Sequence, residues 1–280
     1  MKKLFIIFLL MIMQISYAAN CDYVCTQEKA SDTTSIFSKM TGVSFIVKKL
    51  VEKAITTELY SELSSKISAD IDLVGIKKLT QGEFKNLSLK GKKLEYDALS
   101  ISDFSASSIC ELNKIIYSNK RIYFPQELPF NFSATINNDN LQHILSSDLF
   151  KKQLENAYLK VAGIKAITLQ DVQAEIKDGY ISFNMPFKTI LSDKITNLKF
   201  NANVGVENNK IILKNITFNS KSNIMNNNGL LPLINKINPL GFEIKKTGTK
   251  FCKLNVKNAE IVGDKINIKG LFIINKNYGG

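Results

Sequence analysis

The chain has 280 residues, 45% of them hydrophobic, with 37 basic and 25 acidic side chains and a formal net charge of +12. That apolar fraction excludes a globally disordered chain and suffices for one large β-rich domain or two small ones. Arg121 is the sole arginine, which argues against dedicated nucleic-acid reading, where arginine forks do most of the base and phosphate recognition.

The N-terminus reads as an export signal, residues 1–18. Lys2 and Lys3 form a basic start, Leu4 to Met13 an unbroken apolar run, and Ser16-Tyr17-Ala18 a small-residue cleavage site. The run falls short of the roughly 20 apolar residues that span a bilayer, and no second stretch approaches that length. Cys21 just beyond suggests a lipid-modified cysteine, but Asn20 stands where lipoprotein processing requires a small residue. The expected localisation is therefore exported: periplasm or cell envelope.

Four cysteines, Cys21, Cys25, Cys110 and Cys252, follow the cleavage site. An even number in an exported chain points to up to two disulfides with three connectivities, and Cys21 and Cys25 either bridge locally or pin the N-terminus to the body. A zinc site has only His143 to add to the Cys-x3-Cys pair, so no metal or other cofactor is expected.

Residues 19–68 form an N-terminal segment with a long amphipathic helix. Ile36, Met40, Val43, Val47, Leu50 and Ala54 fall on one stripe, and Val51, Ile55, Leu59 and Leu63 on its neighbour. Residues 69–276 form the β-rich body, followed by a tail, 277–280. The stretch from Glu83 to Ser108 predicts short strands broken near Gly91 and Asp97, and Phe130 to Ile136 another strand. Asn137 to Asn156 interrupts with helical character. Alternation of Val172, Ala174 and Ile176 leads to a hairpin turn at Asp178-Gly179, and Ile181, Phe183, Met185 and Phe187 return. Ile167 and Leu169 are out of phase with Val172, which predicts a bulge. Leu198, Phe200, Ala202, Val204 and Val206 share one face of the next strand, and Asn208-Asn209 turns into Ile211 to Phe218. Leu230, Leu231, Leu233 and Ile234 cluster in a short helix that ends at Asn238-Pro239. A last hairpin folds at Gly263-Asp264. The fold class is thus α+β: the long helix packed on a curved, mainly antiparallel meander with one apolar face.

The segments "GEFKNLSLKGKKLEYDALSISDFSASSI", "NNDNLQHIL", "LLPLINKINPL" and "CKLNVKNAEIVGDKINIKG" in this order resemble the LmeA-type family of bacterial envelope phospholipid-binding proteins, over roughly 71–270. The resemblance implies a non-enzymatic envelope protein that binds phospholipid, with a fold akin to tubular lipid-binding domains by analogy. The residues expected to line an acyl-chain groove are Phe183, Met185, Phe187, Leu198, Phe200 and Val204, although inward apolar residues on strands are ordinary core in most proteins. The Leu230, Leu231, Leu233 and Ile234 cluster is the expected membrane-facing element, with lysines meeting an anionic surface. Codon bias of an AT-rich genome accounts for those lysines equally well.

No catalytic constellation is present in the sequence. His143 is the lone histidine, no phosphate loop, nucleophile elbow or HExxH occurs, and Asp171 and Glu175 fall on the polar face of a strand. The alternative to lipid binding is a structural or adhesive envelope protein whose β core is filled by its own side chains.

Overall fold

The computed structural model describes residues 25, 67–72, 78, 81–96, 99–118, 121–123, 125–161, 164–189, 192–218, 234–241, 252–274 and 276. The expected signal peptide and long helix lie outside these residues. So do Cys21, Leu230, Leu231 and Leu233.

In chain order the described strands are β1 (Ile67–Asp72), β2 (Glu83–Phe84), β3 (Asn86–Tyr96), β4 (Leu99–Ser108), β5 (Asn113–Lys114), β6 (Ile116–Ser118), β7 (Arg121–Tyr123) and β8 (Leu128–Ile136). Helices α1 (Asn138–Ser146) and α2 (Asp148–Glu155) follow. The rest are β9 (Tyr158–Val161), β10 (Ile164–Leu169), β11 (Gln173–Lys177), β12 (Tyr180–Thr189), β13 (Ser192–Glu207), β14 (Lys210–Phe218), β15 (Cys252–Val262) and β16 (Lys265–Ile274). The result is mostly antiparallel sheet, curled into a half-barrel, with few helices among the described residues.

The strands form two large sheets, beside the two-stranded ribbons β2-β5 and β6-β7, rather than one meander. The first has the order β1-β3-β4-β8-β16-β15; the second runs β14-β13-β12-β10-β9, with β11 also on β12. The C-terminal hairpin thus returns to the N-terminal sheet, where Ile136 of β8 faces Ile266 of β16. All three hairpin turns form where the sequence places them. Asp178, Gly179, Asn208, Asn209 and Gly263 adopt the positive φ that such turns demand.

The expected strand break at Gly91 does not occur: β3 runs straight through it. A Cβ at Gly91 would lie 2.8 Å from a Leu94 methyl and 3.3 Å from Ile67, so the glycine is there for close packing, not to end a strand. The phase slip before Val172 is a bulge. Leu169 faces Phe187 and Gln173 faces Asn184, so four steps along one chain oppose three along β12, and Gln170 N–H donates to the Pro186 carbonyl at 2.9 Å. Strand β1 starts at Ile67, so the last two residues of the segment expected to end at 68 belong to the sheet.

Helix α1 begins at a reciprocal cap. Asn140 N–H donates to the Asn137 side chain and Asn137 N–H to the Asn140 side chain, both at 3.0 Å. Ser147 then ends α1 and starts α2, accepting from Phe150 N–H through its hydroxyl. The inner faces of both sheets, Leu141, Ile144, Phe150 and Leu154 of the helices, and Ile234, Ile237 and Leu240 share one apolar interior. Phe130 stacks on Phe272 there at 4.7 Å between ring centroids. Burying dozens of such side chains, at roughly 25 cal/mol per Å² of apolar surface, is what holds the sheets together.

Candidate functional site

The six residues expected to line a groove all lie on the inner face of the second sheet. Period-2 alternation puts Phe183, Met185 and Phe187 on that face of β12, and Leu198, Phe200 and Val204 on that face of β13. Register brings them together: Phe183 faces Phe200 and Met185 faces Leu198. Phe200 and Met185 are 0% exposed and Phe183 2%, whereas Phe187 and Val204 reach 8% and Leu198 7%. These three are packed against neighbouring side chains of the interior.

The Phe183–Phe200 pair belongs to a longer row. Phe200 faces Phe218 of β14, and the ring centroids are 4.8 Å apart for Phe183–Phe200 and 6.0 Å for Phe200–Phe218. Phe218 is only half-buried. A bulge puts it there: Asn201 faces Thr217 and Asn203 faces Lys214, so β14 carries one extra residue, and Asn215 takes φ +50°. Without that residue Ile216 and Phe218 would point away from Ile211 and Leu213. With it, all four face inward. The signal was readable as the phase change between Ile211-x-Leu213 and Ile216-x-Phe218; neither Ile216 nor Phe218 was expected at the site.

Strand β13 lies against β15 of the other sheet, but no ladder joins the two sheets among the described strands. The edge strands of the two sheets carry half-buried apolar side chains that pack against the interior: Ile216 and Phe218 on β14, Ile261 on β15. Lys210 and Lys214 are exposed on β14, and Lys257 on β15.

Ile234, expected to face a membrane, is 0% exposed and belongs to the interior. Its segment is tied to the body. Asn238 Nδ2 donates to the Ile211 carbonyl at 2.8 Å, and Gln153 donates to the Lys236 carbonyl. The physical reason is amphipathicity: Ile234, Ile237 and Leu240 all turn into the shared apolar interior and away from water.

Beside α1 an open cleft of ≈ 670 Å³ is lined by polar groups, among them Gln142, Gln173, Glu175, Ser182, Asn184 and Lys199. It occupies the outward face of the second sheet, and its character is polar, not acyl-binding. Asp171, Glu175 and Asp178 are all exposed. No group of three or more metal-ligating side chains occurs among the described residues. Within those residues, no helix is long and apolar enough to cross a membrane.

Cys25 is bonded to Cys110, with Cα atoms 5.6 Å apart. Of the alternatives open to the N-terminal cysteines, this one pins the segment to the body. A disulfide between positions 85 residues apart is compatible with an exported protein. Comparison of the chain with protein-family models, with curated proteins and with solved structures finds no match in any of the three.

Proposed function

We propose that the protein is an exported, non-enzymatic phospholipid-binding protein of the cell envelope that takes an acyl chain at the seam between its two sheets. The observation carrying this reading is the aromatic row Phe183–Phe200–Phe218. It runs from the closed interior to half-buried Phe218 on β14, the edge strand of the second sheet. An acyl chain laid along Phe218 and Ile216 would continue an apolar surface that already leads into the core. Each shielded CH₂ contributes about 0.8 kcal/mol, so a chain of ~14 carbons gains on the order of 10 kcal/mol before ordering costs. Exposed Lys210 and Lys214 on β14 and Lys257 on β15 suit the anionic phosphate of a headgroup and peripheral contact with an anionic membrane. The resemblance to LmeA-type proteins points the same way.

Native mass spectrometry of protein purified from a bacterial envelope tests this. Bound phospholipid at fixed stoichiometry is expected, and Phe218→Asp is expected to abolish it with the fold intact, because Phe218 is only half-buried. A second reading, a ligand-free structural or adhesive protein, is favoured by the complete burial of Phe200 and Met185. Lipid-free protein that also takes up no phospholipid from vesicles would establish it and end the first.

A further inference from the structure

We propose that the polar cleft beside α1 binds a neutral saccharide, on the face of the second sheet opposite its apolar interior. The cleft has a volume of ≈ 670 Å³, within the ~300–1,000 Å³ of ordinary small-molecule sites. It is separate from the lipid site proposed above, and neither reading depends on the other.

Strand period and register build its floor. Ser182 and Asn184 of β12 point outward because Ile181, Phe183 and Met185 point inward. Gln173 of β11 faces Asn184, and Glu175 faces Ser182. On the other side, Lys199 of β13 faces Asn184 and Asn201 faces Ser182. Two rows, Gln173–Asn184–Lys199 and Glu175–Ser182–Asn201, thus cross three strands side by side. Gln142 of α1 walls the cleft, held by its bond to the Ala174 carbonyl at 2.7 Å. Bonds within the rows fix the amides: Asn184 Nδ2 donates to Gln173 Oε1 at 3.2 Å, and Ser182 Oγ to Asn201 Oδ1 at 2.9 Å. Asn184 Oδ1 is buried without a hydrogen-bond partner, an acceptor whose lost hydration nothing offsets. A hydroxyl entering the cleft supplies the missing donor once the amide turns toward it.

The chemistry of the lining selects the ligand. Exposed Gln173 and Lys199 offer N–H donors, and exposed Glu175 and Gln142 offer oxygen acceptors. Glu175 and Lys199 are the charged residues of the lining among the described residues, and their charges cancel. Interspersed donors and acceptors without net charge suit sugar hydroxyls, which both donate and accept. The same balance disfavours a phosphate or sulfate, and the polar floor disfavours an acyl chain. Tyr180 continues the outward row of β12 at the next alternate position beyond Ser182, and it is 37% exposed. Its ring is a flat apolar platform for the C–H face of a sugar.

The test is an NMR titration of the isotope-labelled full chain with maltotriose, cellotriose and tri-N-acetylchitotriose at millimolar concentration. At least one trisaccharide is expected to shift the side-chain amides of Gln173 and Asn184 and the backbone amides of Glu175 and Ser182, to saturation. Tyr180→Ala and Glu175→Ala are each expected to weaken that binding about tenfold, the usual effect of losing one such contact. Both side chains are exposed, so unchanged amide shifts in the first sheet serve to check that the variants fold. Phe218→Asp is expected to leave saccharide binding intact, which separates this site from the lipid site. Absence of a shift with all three sugars, shifts confined to other residues, or the same shifts with glycine or phosphoethanolamine overturns the inference.

Discussion

Gly270 sits mid-strand in β16 with the carbonyl of Asn255 and the ring of Phe132 against its α-carbon. A Cβ there would collide with the Asn255 oxygen and lie 2.7 Å from the ring. Gly270→Ala is therefore expected to destabilise by about 1–3 kcal/mol, the usual cost of overpacking, read as a lower urea midpoint with an unchanged slope. At this scale the sequence is informative about facing and poor on cause. Alternation alone placed Phe183, Met185, Phe187, Leu198, Phe200 and Val204 on one inner face, because a strand offers a side chain only two directions. It did not distinguish Phe200, sealed in the core, from Phe218, half-open at the edge, because that difference depends on which strand ends the sheet. Gly91 read as a break for the same reason: the Leu94 and Ile67 side chains that crowd it come together only in the fold.

Among the elements, α1 guards an open edge. In β11, residues 173, 175 and 177 turn their backbone groups to β12, so Ala174 and Ile176 present theirs outward. Asn138 answers Ile176 twice, accepting from its N–H at 2.6 Å and donating to its carbonyl at 3.0 Å. Gln142 donates to the Ala174 carbonyl at 2.7 Å. The match is geometric: four helical residues rise ~6 Å, close to the ~6.7 Å between alternate strand residues. A helix thus stands in for a strand partner and keeps this edge from pairing with another chain. Asn138→Ala is expected to speed amide exchange at Ile176 by about five- to tenfold, as the loss of roughly one hydrogen bond dictates, while Ile181 on β12 keeps its rate. Helices, hairpins and the bulge before Val172 were legible because each has a local signature of period, turn residue or phase. The guard role was not, since Asn138 and Gln142 look like ordinary polar positions until β11 lies beside them.

For the whole molecule, the Cys25–Cys110 bridge closes a loop of 85 residues. Removing it as Cys25→Ser/Cys110→Ser is expected to lower stability by about 2–5 kcal/mol, measured by guanidinium unfolding of oxidised wild type against the variant. The even cysteine count announced such a bond, but its pairing needed the fold. The two-sheet topology was also hidden. A meander is the default when neighbouring hairpins follow one another, and nothing local tells β16 to skip the second sheet and lie beside β8. That long return shapes how the chain is made. As the polypeptide emerges, β1, β3, β4 and β8 assemble early, leaving Phe130 and Phe132 beside an unpaired β8 edge. The strand that completes them emerges only about 130 positions later. The first sheet therefore spends most of its birth unfinished and adhesive, and a nascent chain stalled before β15 is a template for aggregation until a holding chaperone covers it.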